Sequence, residues 1–444
     1  MPTGQPVILR GDAHRPGEAA APVTVTLQEA EFSIAAGSAA PMSAGYRDIT
    51  SILVDAGAVA VALGSGPGSV RWVFERFGTL TGVLVKGLRD GRFRQRLADG
   101  LVELPSSTEI ELVEYTAGGE TGIAQLAYDD RGATLAPLDD RLPWHRVRRA
   151  DVGTAELAAS VGGVAVHGAG RSLPPMPDGG PTLRLVRVGQ TAPQHVKRWS
   201  ALRDGTAADA SAIVSALIPD ASFGARTLAS SQLLEGRPCS PLSLGEAWGP
   251  LEAAVLAVPP FDVSYGVLRS VGGGEAAPRW LACAPETPGK ADDPRLWFFV
   301  GLPGNLVALE LVSGGAHATY LFRVVPRSAW TGALPAGALE MAVAEVSEAL
   351  IDARFLREPM ALPAAQLALP DALRYRLALA ALPSLAAARA RFVARLVHSD
   401  PATWEAALRD LVTWHGSCHD DAAQWPGRAA QEAQVDDAGG GSVG

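Results

Sequence analysis

Residues 126–152 read LAYDDRGATLAPLDDRLPWHRVRRADV, a stretch in which short apolar runs alternate with polar turns. The turns, residues 129–132 and 138–141, each contain paired aspartates, which are ordinary turn formers. Runs of strand character that are separated by such turns are typical of a β-meander. The stretch therefore predicts consecutive antiparallel strands, with Val147 as the residue that faces the core.

A similar order of features occurs upstream in residues 27–49, LQEAEFSIAAGSAAPMSAGYRDI, where Ile49 takes the place of Val147. Each of the two stretches is followed by further strand-like sequence and then by a helical run, at 79–101 and at 206–217. Repetition of a unit along a chain predicts repeated modules. We therefore expect two similar domains in the first half, each ending in a helix.

Antiparallel strands followed by one C-terminal helix is the order of a pleckstrin-homology-like (PH-like) barrel. With Tyr46-Arg47-Asp48-Ile49 and Trp144-His145-Arg146-Val147 in its meanders, the first half resembles the bacterial PH/GRAM-like proteins, in particular the tandem-module type from high-GC bacteria. The resemblance implies an α+β fold of tandem PH-like antiparallel β-barrels, each closed by a C-terminal helix and followed by a small helical region. It implies no activity, because this fold hosts lipid, peptide and protein binding.

The whole chain is expected to divide into six regions. We expect strand character at 251–258 and 263–271, and a linker at 219–244. A hairpin is predicted around Pro303-Gly304-Asn305, since glycine and asparagine tolerate the positive φ of a tight turn. The regions are a disordered N-terminus (1–21), PH-like barrel 1 (22–104), PH-like barrel 2 (105–218), a third β-rich unit with a closing helix (219–360), a helical region (361–416) and a disordered tail (417–444).

Composition narrows the classes of function. The formal net charge of −9 over 444 residues argues against a general nucleic-acid or anionic-membrane surface, which requires a broad basic field. The three cysteines are widely spaced, which fits a reducing compartment. The sequence shows no signal peptide and no uninterrupted apolar run of about 18 residues, so we expect a cytoplasmic protein.

Few residues suggest chemistry. Residues 414–420, WHGSCHD, could supply metal ligands or a Cys418 nucleophile, but we interpret them as a helix end that runs into a tail. His167-Gly168-Ala169-Gly170 is similar to the oxyanion loop of some esterases, and we interpret it as an ordinary loop. We therefore predict no catalytic residue, no metal and no cofactor.

The best binding candidate lies in the strand predicted at 143–152. Trp144, Arg146 and Arg148 would share one face of that strand and, with Arg149, could bind an anionic or peptide ligand. The alternative is a solvated strand face whose arginines pair with nearby aspartates.

Two hypotheses on function follow from these observations. The first is a non-catalytic intracellular scaffold or adaptor that binds a protein partner through PH-like modules, without nucleic acid or stable membrane binding, and with homo-oligomer formation left open. The second is a ligand- or lipid-binding protein, or an enzyme with its site in the third β-rich unit, where the apolar hairpin at 296–312 would line a pocket.

Overall fold

The fold is α+β, with curled antiparallel sheets and helices, which confirms the predicted class. The chain divides into two compact units between Leu202 and Arg203. The computed structural model describes residues 6–37, 40–64, 68–100, 102, 104–105, 107–117, 119–139, 142, 144–158, 162–168, 183–186, 188–285, 295–312, 317–398, 400–417 and 425.

The first unit begins with a seven-stranded antiparallel sheet, sheet A, whose strand order is β4-β3-β2-β1-β7-β6-β5. Strands β1–β4 form one meander and β5–β7 a second, and the pairing of β1 with β7 joins them. Helix α1, Thr81–Asp99, follows the sheet. The strands of sheet A are β1 Val7–His14, β2 Ala21–Leu27, β3 Glu31–Ala36, β4 Met42–Gly45, β5 Ile49–Asp55, β6 Ala58–Leu63 and β7 Val70–Glu75.

The second seven-stranded sheet of this unit, sheet B, has the order β11-β10-β9-β8-β14-β13-β12. This order repeats that of sheet A strand for strand, and the long helix α2, Ala192–Leu217, follows it. The strands of sheet B are β8 Glu111–Ala117, β9 Glu120–Asp129, β10 Gly132–Pro137, β11 His145–Arg148, β12 Val152–Ala158, β13 Gly163–Gly168 and β14 Leu183–Val186.

Each sheet of the first unit encloses an apolar core to which a helix contributes. Ile49 is 3% exposed and belongs to the core of sheet A, where Leu84 and Leu88 of α1 are fully buried. Val147 is 2% exposed and shares the core of sheet B with Trp199 of α2. The inward positions of Ile49 and Val147 and the helix near 79–101 are therefore confirmed. The helix predicted at 206–217 is the end of the longer α2, whose earlier turn around Trp199 makes the contact with sheet B.

Helix α1 has a second apolar face that packs elsewhere in the same unit. Phe93 and Leu97 form a separate buried cluster with Ala127 and Ala136 of sheet B, and the Trp144 side chain packs at its margin. Because the side chains of Ala127 and Ala136 are small, the helix can approach the strands closely. One helix therefore contributes to two apolar clusters.

The prediction of a disordered N-terminus at 1–21 is wrong for residues 7–14, which form β1. Leu9 and Ala13 are buried in the core of sheet A, and β1 pairs with both β2 and β7. Gly11 explains why the strand was missed, since glycine weakens a strand signal but is required here. A Cβ at this position would lie 2.4 Å from the Phe77 ring.

The second unit contains a five-stranded antiparallel meander, sheet C, with the order β15-β16-β17-β18-β19. Its strands are β15 Arg279–Ala284, β16 Arg295–Leu302, β17 Leu306–Val312, β18 Ala318–Arg323 and β19 Phe392–Val397. The helices around it are α3 Phe223–Gln232, α4 Pro241–Leu244, α5 Trp248–Leu256, α6 Phe261–Gly272, α7 Ala338–Asp352, α8 Glu358–Ala361, α9 Ala364–Leu367, α10 Leu373–Ala381, α11 Pro383–Arg391 and α12 Pro401–Ser417.

The predicted hairpin is confirmed as β16 and β17. Gly304 and Asn305 adopt positive φ angles of 73° and 68° in its turn. The Asn305 side chain is buried and hydrogen-bonds the backbone of Val325 through both its amide nitrogen and its amide oxygen. This asparagine therefore fixes the turn and also ties it to the chain that leaves β18.

Several predictions for the second unit are wrong. The residues expected as strands at 251–258 and 263–271 lie mainly in α5 and α6, and the expected linker at 219–244 holds α3 and α4. In α6 the buried residues recur at spacings of three and four, the period of a helix. These residues are Phe261, Ser264, Tyr265 and Leu268.

The boundaries predicted at 361–416 and 417–444 also need correction. The predicted helical region contains β19, the edge strand of sheet C. Trp425 in the predicted tail is buried in the apolar core of the second unit, and its indole nitrogen donates to Asp410 at 2.8 Å. Among the residues described, no helix is long and apolar enough to cross a lipid bilayer.

Truncation of Ile49 tests the core of sheet A. We expect Ile49→Ala to lower the free energy of unfolding by about 2–5 kcal/mol, because it leaves a cavity in a closed core, and Val147→Ala to cost less. Leu53→Ala is the matched control, since Leu53 lies on the same strand and is 57% exposed. Denaturant titration measures all three, and an equal effect of Ile49→Ala and Leu53→Ala would contradict the assignment.

Candidate functional site

The predicted binding residue Trp144 lies against α1. Its ring centroid is 5.4 Å from that of Phe93, and the guanidinium carbon of Arg96 lies 5.3 Å from the Trp144 ring centroid. Trp144 therefore lies beside a cation, although not one of those predicted. That cation comes from α1, and the arginines of β11 have other contacts.

The arginines of β11 bind local aspartates. Arg146 donates to both carboxylate oxygens of Asp129, at 2.8 Å for one of them, and to the Thr134 hydroxyl at 2.9 Å. Arg148 donates to Asp151 at 3.0 Å. Arg149 begins the short turn between β11 and β12 and is partly buried. These contacts agree with the alternative of arginines paired with aspartates, and a ligand-binding role for Trp144, Arg146, Arg148 and Arg149 stays a prediction.

The weaker candidates belong to different units of the chain. His167 is 3.3 Å from Glu156, near the start of the predicted oxyanion loop. His415 is buried, and its Nδ1 accepts a hydrogen bond from Arg327 Nε at 3.1 Å. Cys418 lies outside the described residues. Within the described part of the chain, no three histidine, cysteine, aspartate or glutamate side chains are grouped so that they could hold a metal ion.

A cleft of about 760 Å³ lies in the first unit. Its floor includes the outward face of sheet B, where Ile123 on β9 and Val186 on β14 flank Glu114 in the strand register. Leu112 lies diagonally from Ile123, at the separation where large side chains on neighbouring strands touch. Leu112 is 60% exposed and Ile123 is 54% exposed, so two large apolar side chains face solvent in one cleft.

Helix α1 forms one wall of the cleft with polar side chains. Lys86 donates to Asp90 at 2.7 Å, and the Gln125 amide of sheet B donates to the same carboxylate at 3.0 Å. Arg94 donates to the carbonyl oxygens of Pro105 and Thr108, and burial lowers the pKa of its guanidinium. These bonds hold both cations of the wall in internal contacts.

A buried polar network closes one end of the cleft. His195 is almost completely buried, and its Nδ1 lies 2.9 Å from the Tyr128 hydroxyl while its Nε2 lies 3.3 Å from Glu111. Arg198 also donates to Glu111. Hydrogen bonding from His195 lowers the pKa of Glu111, whereas burial raises that of Tyr128. With a proton on Nε2, His195 directs that proton toward Glu111, while Nδ1 can accept from the Tyr128 hydroxyl.

The second unit contains a carboxylate that is fully buried. Glu310 on β17 accepts hydrogen bonds from Ser264 at 2.6 Å and from Thr319 at 2.5 Å, and His398 Nε2 lies 3.1 Å away. Trp404 donates to the Thr319 hydroxyl at 3.1 Å. The arrangement joins α6, two strands, the end of β19 and α12 through one side chain.

This cluster has the residue types of a hydrolase but the wrong order of contacts. In a nucleophilic triad the histidine accepts the serine proton, whereas Ser264 here donates to the Glu310 carboxylate itself. Ser264, Glu310 and Thr319 are all at most 2% exposed, so a substrate cannot reach them. We therefore interpret the cluster as a structural connection.

Substitution of Glu310 tests this interpretation. We expect Glu310→Gln to lower the free energy of unfolding of the second unit by about 3 kcal/mol, because a neutral amide leaves buried donors poorly matched. Glu340→Gln, on the exposed face of α7, should have almost no effect. Equal stability of the two variants in denaturant titration would show that the buried carboxylate does not hold the unit together.

The Glu111 network predicts a dependence on pH. The folded-state pKa of Glu111 is below its ordinary value of 4.5, so its contribution to stability is present above pH 4.5 and is lost as the pH falls through the lower folded value. We expect the stability difference between the unmodified protein and Glu111→Gln to shrink below pH 4.5. The exposed Glu31→Gln, which lies outside the network, is the control. Unfolding midpoints in a pH series measure both.

Similarity to known proteins was sought among protein-family models and among curated proteins, and neither comparison found a match.

The cleft was not predicted from the sequence, although one signal was present. Leu112 and Val113 are both apolar, although they occupy an outward and an inward position of the same strand.

Proposed function

We propose that the first unit consists of two tandem PH-like modules and that the chain is a non-catalytic intracellular adaptor that binds a protein partner through them. The observation that carries the proposal is the exposed pair Leu112 and Ile123 on the cleft floor. The repeated strand order and the helix that follows each sheet support the PH-like assignment.

The apolar pair favours a macromolecular partner. An isolated exposed apolar side chain is normal, but neighbouring ones in a cleft with a polar rim mark an interaction site. The open shape suits a segment of chain that lies across the strands. Strands β8 and β9 are already paired on both sides within sheet B, so the partner would bind through side chains and would not add a strand.

The charges of the cleft restrict the partner further. Four carboxylates, those of Asp90, Glu109, Glu111 and Glu114, line it, against the two cations Lys86 and Arg94. Glu109 and Glu114 lie on either side of Leu112 in sequence. We therefore propose a partner segment that carries apolar side chains for Leu112 and Ile123 together with lysine or arginine.

A small-molecule ligand is the second candidate. The cleft volume of about 760 Å³ lies within the range of small-ligand sites. His195 and Glu111 could supply directional contacts at its closed end. The two candidates differ in what covers Leu112. A protein partner would contact this side chain, whereas a small ligand held at the closed end of the cleft would leave it exposed.

Photo-crosslinking tests the adaptor proposal. Benzoylphenylalanine in place of Leu112 or Ile123 should crosslink the same protein in living cells. In place of Leu157, which is 56% exposed on β12 of the same sheet, it should not. Crosslinking of the same proteins at all three positions, or of none at the cleft positions, would contradict the proposal, and the second of these outcomes would favour a small ligand.

Binding of the purified partner gives the quantitative test. We expect Leu112→Ser to weaken the partner's affinity about tenfold, the result of losing roughly 1.4 kcal/mol of apolar contact, and Leu157→Ser to leave it unchanged. Affinity should also fall as salt is added, because the carboxylates of the cleft would face basic side chains. Equal binding by the two serine variants would place the interface elsewhere.

A further inference from the structure

A second, much smaller cavity of about 20 Å³ lies in the first unit, away from the floor of the cleft. It is bounded by α1, by Ile52 of β5 and by the end of β10. Its lining includes three arginines, two aromatic rings and one amide: Arg89, Arg92, Arg96, Phe93, Trp144 and Gln125. This set of side chains is typical of a site for an anion.

The helix places the three arginines together. Arg89, Arg92 and Arg96 are spaced by three and then by four residues, so they lie on one face of α1 over two turns. Arg92 donates to the carbonyl oxygens of Ile49 at 3.0 Å and Thr50 at 2.8 Å. The face that carries these cations is therefore anchored to β5.

Arg89 differs from its neighbours. No hydrogen bond or ion pair to its guanidinium is found within the part of the chain that the structure describes, and burial lowers its pKa. A guanidinium has five N–H donors, and the half-buried side chain of Arg89 leaves them open to water. An anion that enters the cavity would replace that water with charged acceptors.

We infer that this cavity binds a carboxylate through Arg89. A space of about 20 Å³ holds a group close to the size of one water molecule, which suits one end of a planar carboxylate better than a tetrahedral phosphate. The guanidinium matches a carboxylate in a planar, two-bond geometry. The Trp144 ring forms an apolar wall of the cavity beside Arg96.

The carboxylate has two possible sources, a small organic acid or an acidic side chain of a protein. Both present the same group to Arg89 and differ in the bulk that follows it. Acetate represents the first source, and a capped Gly-Glu-Gly tripeptide represents the second. Phosphate at equal ionic strength tests the preference for a planar anion.

Thermal unfolding of the full chain in titrations of these anions tests the inference at constant ionic strength. We expect acetate or the tripeptide to raise the unfolding temperature in a saturable manner and phosphate not to do so. Arg89→Met should abolish the response, and Arg89→Lys should weaken the apparent affinity about tenfold, since lysine keeps the charge but loses the planar fork. Arg71→Met, which removes an exposed arginine of β7, is the matched control and should respond fully.

The outcomes are separable from those of the partner experiment, because Leu112 does not line this cavity. A response to acetate alone supports a small organic acid, and a response to the tripeptide supports an acidic protein segment. No saturable response in the unmodified protein, an equal response in Arg89→Met, or an equal response to phosphate would overturn the inference. If Arg89→Met does not fold, the comparison of Arg89→Lys with the unmodified protein decides.

Discussion

The packing of α1 on both sides is the interaction on which the first unit depends. Leu88 and its neighbours complete the core of sheet A, while Phe93 and Leu97 pack against the outer face of sheet B around Ala127. Apolar burial on two faces leaves only narrow polar stripes on this helix. One stripe becomes the wall of the cleft, and the other carries the arginines of the small cavity. Both candidate sites are therefore consequences of the same packing.

Pairing of arginines with nearby aspartates determines which arginines could bind a ligand. Asp129 ends β9 and accepts two bonds from Arg146, which lies across β10, so the strand register brings the pair together. Such a pair rigidifies the turn, and its carboxylate is almost fully buried. Arg89 on α1 has no comparable carboxylate beside it in the described structure. The cation beside Trp144 therefore comes from α1, although the sequence predicted that it would come from the strand that follows Trp144.

The sequence was informative where a local pattern determines structure. The meander at 126–152, the helix near 79–101 and the turn at Gly304-Asn305 all follow from turn chemistry and periodicity. Helix α6 was mistaken for a strand because short apolar runs fit both periods. Strand β19 and the exposure of Ile123 depend on pairing between distant segments, and no local pattern reports that register.

Accessibility, more than residue type, separates the candidate sites. Glu310 with Ser264 and His398 has the composition of a catalytic group, yet its donors all point inward and its carboxylate is fully enclosed. Such a carboxylate stabilises packing and cannot meet a substrate without local unfolding. Leu112 and Ile123 have no chemistry of their own, but they are held open on a rigid sheet where burial by a partner would release water. Covering that apolar surface would stabilise a complex, whereas the polar cluster is already enclosed within the fold. The cleft is therefore a stronger candidate for a functional site than the polar cluster.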